Sequence, residues 1–382
     1  MLAVLQVTPE LETGGVERTT IEMAEAITRA GGLALVASAG GRLEPDLEAA
    51  GGELLRMPLA SKNPLTMAIN ARRLAGEARA RGVRLIHARS RAPAWSALWV
   101  ARRLSVPFVT TFHGIYNAKS DLKRAYNGVM AKGDIVIANS DYTRAHVLRE
   151  YDLPPEKVVA IPRGVDLEAF DPGAVDPQRV ANLRAAWKTE PAPGKLNLIL
   201  PARLTRWKGQ TLLVEAMARA QRSHPGAFRA ILAGDDQGRV SYVSELQAAI
   251  TAAGLEEAIL LAGHVSHMPT AFAACDAAIF PSLDPEAFGR GAVEAAAMGL
   301  PVIAAGHGGL AETVLDGETG FLVTPGDPDA LAEAMIRLLE MGHEGRAKLG
   351  EAGQKRARAL YSKAALQAST LQVYDRLLGG EL

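Results

Sequence analysis

Short runs of consecutive apolar residues alternate along this chain with longer stretches in which apolar positions recur every three or four residues. Residues 2–7, 33–38, 54–57, 85–88, 108–111 and 135–139 are runs of the first kind; residues 16–30, 64–81 and 94–104 are stretches of the second. Runs of four to six residues rich in Val, Ile and Leu, set between helix-period segments, predict parallel strands covered on both faces by helices. The alternation pauses from about 162 to 194, which is rich in Pro, Gly and Asp and carries one polar helix pattern at 178–187. It resumes with predicted strands at 196–201, 228–233, 259–261, 277–281, 301–304 and 321–323, helices at 209–223, 242–253 and 291–298, and a helical tail from 327. A chain of 382 residues is too long for one ordinary core and suits two domains. The pattern therefore predicts an α/β fold of two doubly wound domains, with ligand groups gathered at the carboxyl ends of the strands.

Composition narrows the setting. Apolar residues make up 48% and charged residues 22%, which is ordinary for a globular protein. The single cysteine, Cys275, allows no intrachain disulfide, fits a reducing compartment, and reads as a small buried side chain. The first residues form a short apolar run with no basic segment before it, and no stretch of ~18 apolar residues occurs, so the expectation is a cytoplasmic protein without a membrane span.

The candidate chemistry lies in strand-to-helix loops. A dinucleotide fingerprint would need Gly-x-Gly-x-x-Gly after a strand, and neither Thr8–Glu17 nor Ala202–Gly209 carries it. Gly14-Gly15 instead offers a loop where a phosphate can approach the main chain. Arg203 and Lys208 follow the first strand of the second half, where two fixed cations would stabilise a leaving diphosphate without a metal. The stretch Pro285-Glu286-Ala287-Phe288-Gly289-Arg290-Gly291-Ala292-Val293-Glu294 sets two carboxylates either side of a turn that opens a small-residue helix. Glu294 is expected to be buried among alanines, where a ligand diol would satisfy it. Glu286 is expected at the loop mouth, and the N–H groups of Phe288, Gly289 and Arg290 at a helix N-terminus. His113 follows a strand and precedes Gly114, so its ring is expected to face the ligand. His87 reads as structural.

These residues resemble the markers of glycosyltransferase family 4, the large family of retaining GT-B enzymes. The likeness rests on the Glu286-x7-Glu294 motif followed by Gly299-Leu300-Pro301-Val302. It extends to Gly14-Gly15-Val16-Glu17, Thr111-Phe112-His113-Gly114, Ser140-Asp141-Tyr142-Thr143-Arg144, Ile161-Pro162-Arg163-Gly164-Val165-Asp166, and the Arg203/Lys208 pair. The resemblance implies two Rossmann-like domains facing across a cleft: an acceptor domain of residues 1–170 with 362–382, and a donor domain of 171–361. It implies a GDP- or UDP-hexose donor as substrate, with no cofactor and no divalent metal. It implies that Arg203 and Lys208 hold the diphosphate and Glu294 the ribose. Glu286 would hold the donor sugar, Gly14 and Gly15 face the phosphates, and Gly234 with His264 and Val265 line the base side. His113, Glu286, Arg203 and Lys208 are the candidate catalytic groups. Arg163 stands where the family often has asparagine.

Charge is segregated. Residues 56–132 hold 15 Lys or Arg against two acids, Glu77 and Asp121, in a chain whose 42 basic and 42 acidic residues cancel. Arg72, Arg73, Arg91, Lys119, Lys123 and Arg124, interleaved with Trp95, Trp99 and Tyr116, fit an anionic lipid-linked or saccharide acceptor and peripheral contact with an anionic membrane on its cytoplasmic face. The segment 89–97 also resembles mannosyltransferase-like enzymes of lipopolysaccharide core assembly. No nucleic-acid motif accompanies the charge. The expected function is hexosyl transfer to a lipid-linked saccharide in envelope glycan synthesis. The alternatives are a soluble small-molecule acceptor, a nucleotide-sugar epimerase, and a sugar-nucleotide binder without transfer.

Overall fold

The computed structural model describes residues 2–12, 14–116 and 120–380. The chain forms two compact units, Met1–Gly164 with Lys363–Leu382, and Val165–Ser362. The Pro- and Gly-rich stretch after residue 164 is thus folded into the second unit, including its helix Pro177–Trp187, which Asp176 caps by accepting from the Gln178 N–H.

The first unit is built on strands β1 (Ala3–Val7), β2 (Leu33–Ser38), β3 (Glu53–Arg56), β4 (Leu85–Ala88), β5 (Phe108–Phe112), β6 (Ile135–Ala138) and β7 (Val158–Ala160), all parallel, in the order β3-β2-β1-β4-β5-β6-β7. Successive residues of each strand face opposite sides, so one sequence builds two cores. Leu5, Val7, Phe112, Val136 and Ala138 pack on one face with the helices Pro64–Ala80 and Arg91–Leu104. Val4, Val109, Ile135 and Ile137 pack on the other with Met23 and Ile27 of the helix Gly15–Arg29 and Tyr374 of the last helix, Lys363–Leu378. Strand β7 escapes the sequence pattern because only three residues, VVA, pair at the sheet edge.

The second unit repeats the scheme with β8 (Leu196–Pro201), β9 (Phe228–Ala233), β10 (Ile259–Gly263), β11 (Ala277–Phe280), β12 (Val302–Ala305) and β13 (Gly320–Val323), ordered β10-β9-β8-β11-β12-β13 and again wholly parallel. Leu196, Leu198 and Leu200 face one core and Ile199 the other. Cys275 is buried in that second core, and burial pushes its thiol well above the usual range. Among the described residues no helix is long and apolar enough to cross a membrane. In each sheet the strand order reverses once, between β1 and β4 and between β8 and β11. Helices leave the sheet to opposite faces there, and the crevice at the carboxyl ends of those strands is where this fold collects ligand groups.

A buried polar chain runs under that crevice in the first unit. His87, at β4, is wholly buried, with Nδ1 2.6 Å from the Tyr374 hydroxyl and Nε2 2.6 Å from Thr111 Oγ1. Burial, and then the neighbouring Arg89 guanidinium, hold its imidazole well below the usual value. A neutral histidine in the fold faces an unfolded chain whose histidine takes a proton below about pH 6.5. The unfolded state then binds more protons, so the stability is present above that pH and drains away as pH falls, by about 1.4 kcal/mol per unit. Calorimetric melting from pH 7.5 to 5 should accordingly show a shallower acid-side fall in His87→Gln than in the native chain; parallel curves would remove this account of His87.

Candidate active site

Strands β8 and β11 end side by side at the reversal in the second unit, and their two following loops are fastened together by main chain. The Leu283 N–H donates to the Trp207 carbonyl at 2.7 Å. Gly209, at φ +76°, passes so close to the Pro281 carbonyl that a Cβ would overlap it. This brings Lys208 and Glu286, 78 residues apart, into an ion pair: Nζ lies 2.7 Å from Oε1, and the side chains are only 16% and 12% exposed. Ser282, buried at the end of β11, donates to the same Oε1 at 2.6 Å, and His307 Nε2 donates to the Ser282 carbonyl at 2.9 Å. Lys208 also lies over the Trp207 ring at 4.3 Å.

Arg203 is exposed and reaches Gln237 Oε1 at 3.3 Å, while its carbonyl accepts from the buried Gln210 amide at 2.9 Å. Gly234 lies against the Ala202 carbonyl, where any side chain would collide, so this glycine allows the loop after β9 to pass beside Arg203. His264 and Val265 follow edge strand β10, His264 exposed and Val265 half-buried. His267, left unassigned by the sequence, caps the helix Met268–Ala273.

The carboxylate at 294 corrects one expectation. Glu294 lies in the short helix Arg290–Ala297, but it is half-buried and already partnered, by Arg290 Nε at 2.8 Å one turn earlier. Alanines line the neighbouring positions as expected, but the residue that opens the helix reaches back over them. Gly289 caps that helix at φ +83°. The Phe288 ring is buried edge-on against Tyr361, ring centroids 5.6 Å apart, so only its main chain is left for a ligand. The loop that carries Glu286 is pinned by Gly308 and Gly309: the Gly309 N–H donates to the Glu286 carbonyl at 2.7 Å, and Cβ atoms there would run into the backbone of Glu286 and Phe288.

At the reversal in the first unit, Gly14 is extended and the helix starts at Gly15. A Cβ on Gly15 would overlap Nη1 of Arg163, so the guanidinium rests directly on the helix start. The same arginine puts Nη2 3.0 Å from His113 Nδ1. Burial first, then Arg163, hold His113 well below the usual imidazole value. Three enclosed polar atoms there have no hydrogen-bond partner among the described residues: Thr8 Oγ1 after β1, His113 Nε2 after β5 and Asn139 Oδ1 after β6. Below them Arg89, 2% exposed, gives Nε and Nη2 to Gln6 Oε1 at 2.8 and 2.6 Å. Sequence reading missed Ser282, Asn139 and the position of Arg163; the departure from asparagine was the only signal.

The basic residues separate into two groups. Arg72 and Arg73 are exposed on the helix Pro64–Ala80, and Lys123 is exposed on the helix Asp121–Asn127. Arg124 pairs with Glu150 at 3.0 Å. Arg91 is half-buried, donating to Asn127 Oδ1 at 3.0 Å and lying over the Tyr116 ring at 4.3 Å. Trp95 and Tyr116 pack against the core, correcting their expected place on the surface; only Trp99 of the three is exposed. Lys119 lies outside the described residues. No group of three or more His, Cys, Asp or Glu among the described residues is arranged to hold a metal.

Two family models match the chain: Glycosyltransferase Family 4 over residues 13–169 and Glycosyl transferases group 1 over 184–356. A D-inositol 3-phosphate glycosyltransferase of Frankia alni is 32% identical over 65% of this chain, and the match spans 63% of that relative's length. A glycosyltransferase from Rickettsia africae has a TM-score of 0.91 at 32% identity, covering 99% of this chain and 98% of that one. Anabaena HepE, solved with UDP and with UDP-glucose, is 26% and 25% identical with TM-scores of 0.85 and 0.84, covering 98% of this chain and 100% of its own.

The pinning of the Glu286 loop can be checked directly. Gly309→Ala forces a methyl into the Phe288 backbone and should cost about 1–3 kcal/mol. It should also weaken UDP-induced thermal stabilisation; a variant that melts and responds to UDP like the native protein would show the loop to be held otherwise.

Proposed function

The chain belongs to glycosyltransferase family 4, and on that premise we propose that it moves a hexose from UDP- or GDP-hexose to an anionic acceptor, with retention at the anomeric carbon. The observation that carries the reading is the shielded Lys208–Glu286 pair at the β8/β11 reversal. In the reaction the C1–O bond to the diphosphate breaks, and a C1–O bond to the acceptor forms on the same face. The acceptor proton passes to the departing phosphate oxygen, and the nucleoside diphosphate leaves. Charge grows on that diphosphate as the bond stretches. Lys208, prealigned by Glu286, and Arg203 from the same loop after β8 stabilise the charge, in the place of a divalent ion. Glu286 spends Oε1 on Lys208 and Ser282, and Oε2 serves a sugar hydroxyl. The HepE complexes with UDP and UDP-glucose support a uridine nucleotide as the first donor to try.

For the acceptor, the reading rests on the first unit. Arg72, Arg73 and Arg79 on one helix and Arg102 and Arg103 on the next are exposed, and the same two helices expose Leu65, Ile69 and Trp99, by 72%, 62% and 42%. Cations set among exposed large apolar groups suit an anionic lipid surface, and so a lipid-linked acceptor. A second reading, a soluble phosphorylated polyol, is favoured by the Frankia alni relative, a D-inositol 3-phosphate glycosyltransferase.

Lys208→Ala and Glu286→Gln should each lower turnover by about 100-fold or more, measured as nucleoside diphosphate release in EDTA with UDP-glucose and GDP-mannose in turn. Native-like rates in both variants would reject the site. Sedimentation with anionic vesicles at low salt, lost on substituting Arg72 and Arg103 by Glu, is the outcome the lipid reading expects. An unbound native protein would leave the soluble acceptor.

A further inference from the structure

Arg163 bears on His113 in a way that decides what the histidine can do. The guanidinium Nη2 lies 3.0 Å from His113 Nδ1 and 3.4 Å from the His113 carbonyl oxygen. A guanidinium is always protonated and only donates. Nδ1 must therefore present a lone pair, which excludes the imidazolium and leaves the ring proton on Nε2. Nε2 is enclosed and has no hydrogen-bond partner among the described residues.

The rest of the surroundings reinforce this state. The charged groups bearing on the ring are Arg163, from the loop after β7, and Arg89, at the end of β4, both cations that oppose a second proton. His87, also at β4, is itself held neutral by burial. Tyr116, from the loop after β5, is held protonated by burial. Glu17, in the first turn of the helix Gly15–Arg29, bears on Arg163 and is itself shifted toward its neutral form by burial. Asn139 Nδ2 donates to the His113 carbonyl at 3.3 Å and holds the backbone from the far side.

We infer that Arg163 is a positioning residue that locks His113 in its neutral Nε2–H tautomer, making the histidine a hydrogen-bond donor to an oxygen of the bound ligand and not a proton acceptor. Its Nε2–H, the Arg163 guanidinium on Gly15 and the first N–H groups of the helix are all donors. A ligand group that satisfies them is rich in acceptors, as phosphate and sugar oxygens are. The asparagine usual in the family carries an amide with both a donor and an acceptor, so it would let either imidazole tautomer form. Arg163 removes that choice. Only the consequence for turnover rests on the transfer reading; the state of the ring does not.

Long-range proton–nitrogen correlation spectra of the full chain, labelled with ¹⁵N-histidine, read both tautomer and charge without substrate. The His113 signals are identified by their loss in His113→Gln. From pH 5.5 to 8.5 the native chain should show the neutral Nε2–H pattern with no titration. In Arg163→Ala the ring should become a mixture of tautomers and its midpoint should rise by roughly one unit. Arg163→Lys, which keeps one donor, should restore part of the lock and covers the case in which the alanine variant does not fold. A native His113 protonated at Nδ1, or titrating near pH 6.5, would overturn the inference. So would tautomer and midpoint unchanged in both variants. In turnover, Arg163→Ala should add an acid limb to the kcat profile that the native enzyme lacks. A transfer reading that failed would remove this last readout and leave the spectra intact.

Discussion

Among the described residues all thirteen strands run parallel within their sheets, so every strand of a unit delivers its carboxyl end to the same edge. Right-handed crossovers then force the helices to opposite faces wherever the strand order reverses, and a reversal cannot be covered by its own connections. This constraint selects which loops become neighbours. It puts the turn after β8 beside the turn after β11, and the turn after β1 beside that after β4. The Lys208–Glu286 pair follows from the first pairing; the setting of Gln6 beside Arg89 follows from the second. Neither needs a special backbone beyond glycines where two main chains nearly touch, at Gly209 and Gly309.

The two units handle charge differently. In the second, Lys208 is shielded and held by a single carboxylate, Glu286, while Arg203 is exposed. Breaking such a shielded pair would leave one charge uncompensated. In the first unit the interior cation is Arg89, set among the Gln6 amide, the Tyr374 hydroxyl and the uncharged His87, with the buried Glu22 carboxylate also bearing on it. A buried cation bordered by imidazoles opposes adding a proton to them. The last helix takes part through Tyr374, which ties the far end of the chain to the floor of that crevice.

Much of this was legible before any coordinates. Strand positions were plain because parallel strands buried on both faces are nearly all apolar, as AVLQV and LNLILP are. That Lys208 and Glu286 lie in loops after strands was legible too; that they pair with each other was not. The misreadings came from tertiary partners that no local pattern announces. Glu294 looked solitary because alanines flank it, yet Arg290 sits four residues earlier on the same helix face. Trp95 and Tyr116 read as surface from their basic neighbours, but Lys132 stacks over one at 5.6 Å and Arg91 over the other at 4.3 Å. Ser282 and Asn139 are single polar residues at strand ends, and only strand order reveals what lies beside them.

The basic segment shows how far a charge count can mislead about a surface. Of the cations between 56 and 132, Arg56 is paired with Glu44, Arg81 with Glu53 and Glu77, and Arg124 with Glu150. Arg89 is buried and Arg91 is absorbed by Asn127 and Tyr116. Three of those partners, Glu44, Glu53 and Glu150, lie outside the segment, so part of the surplus seen along the sequence is cancelled in space. Among the cations still exposed, Lys62, Lys123 and Lys132 are scattered, while Arg72, Arg73, Arg79, Arg102 and Arg103 lie on two helices packed against each other through Ala71, Ala75 and Ala97. Small residues at that seam bring the helices close and leave Arg72, Arg79 and Arg103 along one groove with Trp99. Charge fixed on adjoining rigid helices, with Trp99 among it, attracts a surface of opposite sign more effectively than the same charge spread over loops.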